Sequence, residues 1–216
     1  MPGMPSAPTA APPRPSGRAA FTLVELLLVL ALLAVIMGLG MPAMLNSLNR
    51  AKLTGFAQQV ASAMQAARLE AIKRSAVANV EVHFADNSVL AYVLLNNDTV
   101  YTPGTDALVF QATAPSGVVC AGPGPASGGS LPTSTAVYGF DPISGGGVAF
   151  FNSDGSVKKV GGFRFRDQRG NVMEAFASPQ ASARIAVRKF AGDANGSDDP
   201  AKYFEMDENP PGWIWN

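Results

Sequence analysis

The sequence predicts an α+β protein: a long amino-terminal helix whose second half packs against a carboxy-terminal antiparallel β-sandwich head. Three observations carry this. From Leu26 to Leu45, twenty consecutive residues have no charge, amide or hydroxyl. Leu53, Phe56, Val60, Met64, Ala67 and Ala71 then recur at three- or four-residue spacing, the signature of one buried helix face. After Ala76 the period falls to two, with Val80, Val82 and Phe84 alternating with Asn79, Glu81 and His83.

Taken in order, residues 1–20 are rich in Pro and Ala, contain Arg14 and Arg18 and no acid, and cannot build a packed element. They read as a leader, with Met4 an alternative start. Residues 21–45 form the predicted transmembrane half of the helix, because an uncharged run of twenty residues at 1.5 Å each covers about 30 Å of bilayer core. The run exceeds an ordinary secretory core, and no A-x-A site follows it. Basic residues flank it on both sides, Arg14 and Arg18 before, Arg50 and Lys52 after, so loop charge does not fix its orientation.

Two features interrupt the run. Gly38, Gly40 and Pro42 predict a helix break, either a kink or a locally meltable turn, since Pro42 lacks an N–H and crowds the carbonyl of Gly38. Glu25 places a carboxylate about 6 Å along the helix from Phe21. An isolated charge in an apolar span costs ~2.5–3.5 kcal/mol on insertion scales, so Glu25 needs a partner or a place at the membrane surface. A cut between Ala20 and Phe21 supplies the partner: the new α-amine is largely protonated at neutral pH, and Glu25 lies near the positive end of the helix dipole.

Ala19-Ala20-Phe21-Thr22-Leu23-Val24-Glu25-Leu26, followed by the apolar run, resembles the class III signal of type IV pilins and type II secretion pseudopilins. Ala20 stands where that family has Gly. The resemblance implies a prepilin peptidase that cuts between Ala20 and Phe21 on the cytoplasmic side, N-methylation of Phe21, and filament assembly through Glu25. It also implies a bacterial inner-membrane protein with one span and a periplasmic head, whose partners are other pilins or pseudopilins and a secretion or pilus assembly platform.

Residues 46–76 continue the helix as an amphipathic segment. Residues 77–190 form the β-rich head, with strands expected at 80–84, 89–95, 108–112, 118–120, 137–140, 148–152, 157–160, 163–166, 172–177 and 184–189. Turns are expected at Asp86-Asn87, Asp154-Gly155 and Arg169-Gly170-Asn171. Residues 121–136, rich in Gly, Pro, Ser and Thr, read as a long loop. The stretch from Ala66 to Arg74 running into a strand, with Phe150-Phe151-Asn152-Ser153-Asp154-Gly155-Ser156 and a later strand pair, is similar to the GspH/FimT group of minor pseudopilins. That similarity implies a β-sandwich on the carboxy-terminal half of the helix and a subunit that helps to initiate or cap a type II secretion pseudopilus. A minor type IV pilin acting in pilus assembly or DNA uptake is the alternative.

Composition narrows the function classes. With 16 basic and 16 acidic residues the chain has no net charge, so no whole-protein attraction to nucleic acid is expected. One histidine, His83, and one cysteine, Cys120, cannot build the usual Cys/His zinc sites, and any Ser-His-Asp triad would have to use His83. No phosphate-binding glycine loop or nucleophile elbow is present. The sequence argues against an enzyme, and no cofactor or metal is expected. His83 reads as an outward-facing strand residue and Cys120 as a small buried hydrophobe.

Lys158, Lys159, Arg164, Arg166, Arg184 and Arg188 fall in a stretch with only two acids, Asp167 and Glu174. They form a candidate basic face for DNA or a protein partner. The favoured reading is that these arginines pair with the acidic tail, residues 191–216, which holds six acids against Lys202. Asp193 to Asp199 faintly matches a calcium loop but has no spaced bidentate Glu. Trp213 and Trp215 are expected to pack on the sandwich.

Overall fold

The computed structural model of the chain describes residues 22–96, 100–123, 136–191 and 203–205, and no side chains at 39, 40, 42, 43 and 204. The leader, Phe21, most of the loop at 121–136, the calcium-like stretch and both tryptophans lie outside the described residues.

Helix α1, Leu23–Arg74, opens on a capped turn. The Thr22 hydroxyl accepts a hydrogen bond from the Glu25 N–H at 3.2 Å, which satisfies one of the donors that a helix start leaves unpaired. At the other end Lys73 and Arg74 lie 3.0 and 2.8 Å from Glu70, placing cations over the last turn. The helix stops in a Schellman arrangement: Ala76 N–H donates to Ala71, Ser75 N–H to Ile72, and Ser75 takes the left-handed conformation with φ 51°. The helix is continuous across Gly38, Gly40 and Pro42, so these residues do not end it.

Two compact units divide the chain, residues 1–44 and 45–216. In the first, every described large apolar side chain from Leu23 to Met44 is exposed, by 43% or more. Among the described residues no helix is long and apolar enough to cross a membrane. The twenty-residue run seen in the sequence includes Leu39, Gly40, Pro42 and Ala43, whose side chains are outside that set.

In the second unit the helix residues Leu53, Phe56, Val60, Met64, Ala67 and Ala71 are all buried, joined by Ala57, Ala61 and Ala63. They share one core with two antiparallel sheets. The first sheet has the order β3-β2-β1-β7-β6, from β1 (Ala78–His83), β2 (Ser88–Val93), β3 (Ala107–Thr113), β6 (Asp141–Ile143) and β7 (Gly146–Phe151). The second has the order β11-β10-β9-β8-β4, from β4 (Val118–Val119), β8 (Gly161–Asp167), β9 (Val172–Ala177), β10 (Ile185–Phe190) and β11 (Tyr203–Phe204). β5 (Val137–Tyr138) also pairs with β8. Alternate residues of two strands join this core, Val80 and Val82 on β1 and Phe163 and Phe165 on β8. Phe56 meets Phe165 edge-on at 4.9 Å between ring centroids, which ties the helix to the second sheet.

The expected strand at 157–160 is absent. Val157 forms only an isolated bridge with Phe151, and Lys158 and Lys159 turn aside to Asp141. The Asp154-Gly155 turn is present, its Asp154 carboxylate accepting from Ser156, but it joins β7 to that bridge and not to a second strand. The Asp86-Asn87 turn joins β1 to β2, with Asn87 at φ 52°. The Arg169–Asn171 turn joins β8 to β9, and Asp167 holds it by accepting from the Arg169 and Asn171 N–H groups, each at 2.9 Å.

Candidate functional site

Two places on the chain could act on something outside it: the start of α1 and the outer face of the second sheet. At the start of α1, Thr22 caps the backbone and Glu25 occupies the third helical position, exposed. This is the S/T-x-x-E spacing of a capping box. Glu25 lies in the first turn, where the helix dipole favours a carboxylate. Ala20 and Phe21 are outside the described residues. From Leu26 to Leu45 every described side chain of the helix is apolar and exposed. Burying one such side chain is worth roughly 1.5–3 kcal/mol, so covering the segment yields on the order of tens of kcal/mol. A helix apolar on all sides belongs in lipid or among other helices.

The six basic residues of the second place do not form one exposed face. Arg164 is 1% exposed, its Nε 3.0 Å from Oε1 of Glu174, which is itself fully buried at the centre of β9. Arg188 holds the other oxygen, Nε at 3.1 Å and Nη2 closer still. Aromatic rings close the cluster. The Arg164 guanidinium lies 4.6 Å from the Tyr203 ring and 4.9 Å from Tyr138, and Arg188 lies 3.5 Å from Phe176. Gly162 lies beneath it, and a Cβ there would come within 2.6 Å of the Glu174 carboxyl carbon, so the carboxylate would have to shift. Arg166 is buried next to Asp167 in β8.

The three remaining cations are exposed but committed. Lys158 and Lys159 both meet Asp141, whose carboxyl is held below its usual range first by the Lys159 hydrogen bond. Arg184 forms a two-pronged contact with Glu205, at 2.6 and 2.5 Å. The expectation of arginines paired with the acidic tail is therefore met at Arg184, whereas Arg164 and Arg188 are taken up inside the head by Glu174. Nothing in the alternating pattern of β8 marked its outer face as covered. The cover comes from β5 and β11, each two residues long.

His83 ends β1 with Nε2 3.3 Å from Oε2 of Glu81, whose other oxygen accepts from the Tyr92 hydroxyl at 2.6 Å. The His83 side chain is 36% exposed, as expected of an outward strand residue. Cys120 is buried, and burial pushes its thiol up to about 12, out of reach of thiolate chemistry at neutral pH.

Comparison with known proteins places these features. The prokaryotic N-terminal methylation motif matches residues 15–41, and the family described as type II transport protein GspH matches residues 57–188. Pilin-like protein PilA1 of Thermus thermophilus is 41% identical over 98 residues, covering 44% of this chain and 59% of that protein. The match thus spans less than two thirds of that relative. The structure of the minor pseudopilin EpsH from the type 2 secretion system of Vibrio cholerae aligns at a TM-score of 0.45 and 13% identity, over 63% of this chain and 95% of that one.

Proposed function

The chain belongs to the GspH family of type II transport proteins and carries the N-terminal methylation motif, and on that premise we propose that it is a minor pseudopilin. It enters a type II secretion pseudopilus through its apolar helix and helps to initiate or cap the filament. The observation that supports this most is the exposed apolar run from Leu26 to Leu45, which follows a capped turn carrying Glu25. Before assembly that surface is covered by the inner membrane, with the head in the periplasm. After assembly it is covered by neighbouring helices. The turn at Gly38, Gly40 and Pro42 supplies the local melting that such a transfer requires. The similarity to a pilin-like protein supports a second setting for the same device, a type IV pilus.

Processing and assembly are tested together on membrane-purified protein. The mature chain should begin at Phe21, one methyl group heavier than the unmodified residue. Glu25→Ala should be cut and inserted normally, yet co-purify with filaments several-fold less, because its carboxylate meets the Phe21 amine of an adjacent subunit. A mature terminus elsewhere would remove the leader assignment. Undiminished co-purification of the variant would confine Glu25 to the membrane surface.

A further inference from the structure

Cations from α1, the β8–β9 turn and β10 come together where the head begins. On α1, Arg50 is half-buried and Lys52 exposed, about 7.5 and 10.5 Å along the helix from Leu45. Lys52 Nζ donates to the Ser116 carbonyl, in the loop between β3 and β4, at 3.5 Å. A Cβ on the next residue, Gly117, would touch the Gln168 side chain at 3.7 Å, which brings the β8–β9 turn and its exposed Arg169 alongside. Lys189, near the end of β10, is buried, and burial lowers its ammonium; of the charges it feels, Asp167 opposes that shift and Arg50 adds to it. The acids described at this end are engaged. Asp167 is buried and accepts from the Arg169 and Asn171 N–H groups and the Asn171 amide. Asp86 accepts from the Ser88 N–H and hydroxyl in the β1–β2 turn, which the Cys120 N–H to Asn87 hydrogen bond ties to the end of β4.

We propose that this end of the head docks on acidic lipid headgroups, whose phosphates meet Lys52 and Arg169 with Arg50 behind them. The proposal rests on the reading of the apolar run as a membrane span. With Leu26 to Leu45 in the bilayer, Arg50 and Lys52 stand roughly a Debye length from its surface, where each cation is drawn to anionic lipid. The helix is continuous from that run into the head, so headgroups are a permanent neighbour of these side chains, at an effective concentration that no soluble partner matches. The contact holds the unassembled subunit and is broken when it leaves the bilayer for a filament.

The test uses the full chain with Ser116→Cys, labelled with a fluorophore; the native Cys120 is buried and stays unlabelled. The protein is reconstituted in phosphatidylcholine vesicles that contain a headgroup spin-labelled lipid, with or without about 30% phosphatidylglycerol. Quenching of the label should be at least about twofold stronger with phosphatidylglycerol, and the difference should vanish in about 1 M salt, where the Debye length is near 3 Å. Lys52→Glu combined with Arg169→Glu should abolish the difference at low salt. Lys73→Glu, a charge reversal about 30 Å further along the helix, should leave it. The full chain carries its own acids between Asp193 and Glu208, so the lipid is measured in competition with them. Equal quenching in the two bilayers, or a difference that survives the double reversal or is lost equally in Lys73→Glu, overturns the docking and leaves the span standing. A chain that does not float with the vesicles removes the span, and the docking with it.

Discussion

Removing the Glu174 carboxylate tests the account of the second sheet most directly. Glu174→Gln keeps the size of the side chain and deletes its charge, leaving Arg164, 1% exposed, and the largely covered Arg188 without their shared anion. Breaking a buried ion pair by removing one partner costs about 3–5 kcal/mol. Arg188 keeps some access to water and can reorient, so Arg164 bears most of the cost. For a protein of this size about 2–4 °C of melting temperature accompany each kcal/mol, so a fall of roughly 6–20 °C is expected. Circular dichroism melting of the detergent-solubilised chain reads it. Arg164→Met together with Glu174→Gln should cost less than the sum of the single changes, by about 1 kcal/mol or more, since the orphaned guanidinium is then gone. A shift within about 2 °C for Glu174→Gln would mean that the cluster behaves as an exposed pair, and the argument from burial would be wrong.

Lys189, 3% exposed, predicts a pH dependence: burial lowers its ammonium to about 8, Asp167 opposing and Arg50 reinforcing the shift. The unfolded chain holds this proton more tightly, so the penalty is full below pH 8 and is relieved as pH rises toward 10, a gain of about 1–3 kcal/mol. The phenol of Tyr92 is pushed up chiefly by burial and also by the Glu81 hydrogen bond, and it acts in the opposite sense above about pH 10. Melting at pH 7.5 and 9.5 should show the rise in the wild type and lose it in Lys189→Met. An equal rise in both would clear Lys189 of the effect. For nucleic acid, the pairing of Lys158, Lys159 and Arg184 predicts little phosphate contact. Duplex DNA titrated between 50 and 200 mM salt should give a nearly flat response, and a log–log slope steeper than about −3 would restore the uptake reading.

The buried stripe of the helix was legible because its spacing reflects one physical demand, a single face against a core, and all six named residues are buried. Strand β9 matches its expected bounds for a similar reason: it is long and bracketed by turn residues. Local chemistry at the helix start was also readable, though only after the fact, since Thr22-x-x-Glu25 is a capping-box spacing. The β-branched pair Val157 and Val160 misled, because the lysines between them are drawn to Asp141 on another strand. Arg164 was the least legible. An arginine alternating with Phe163 and Phe165 reads as solvated, and only the arrival of Glu174, Tyr138 and Tyr203 from three other strands buries it.

The helix changes character along its length. Below Leu53 its apolar side chains have a protein core to fill, and the gaps between them carry Arg68, Glu70 and Lys73. From Leu45 back to Leu26 that division disappears, every described side chain being apolar and exposed. A carboxylate in that upper segment is tolerable only where backbone donors and a dipole support it, and Glu25 sits in the first turn, on a cap formed by Thr22. Under the proposed assembly, that position satisfies the unassembled chain at the membrane surface and leaves the exposed carboxylate to meet a cation brought by another subunit. That is why losing Glu25 should spare insertion and show itself only when subunits meet.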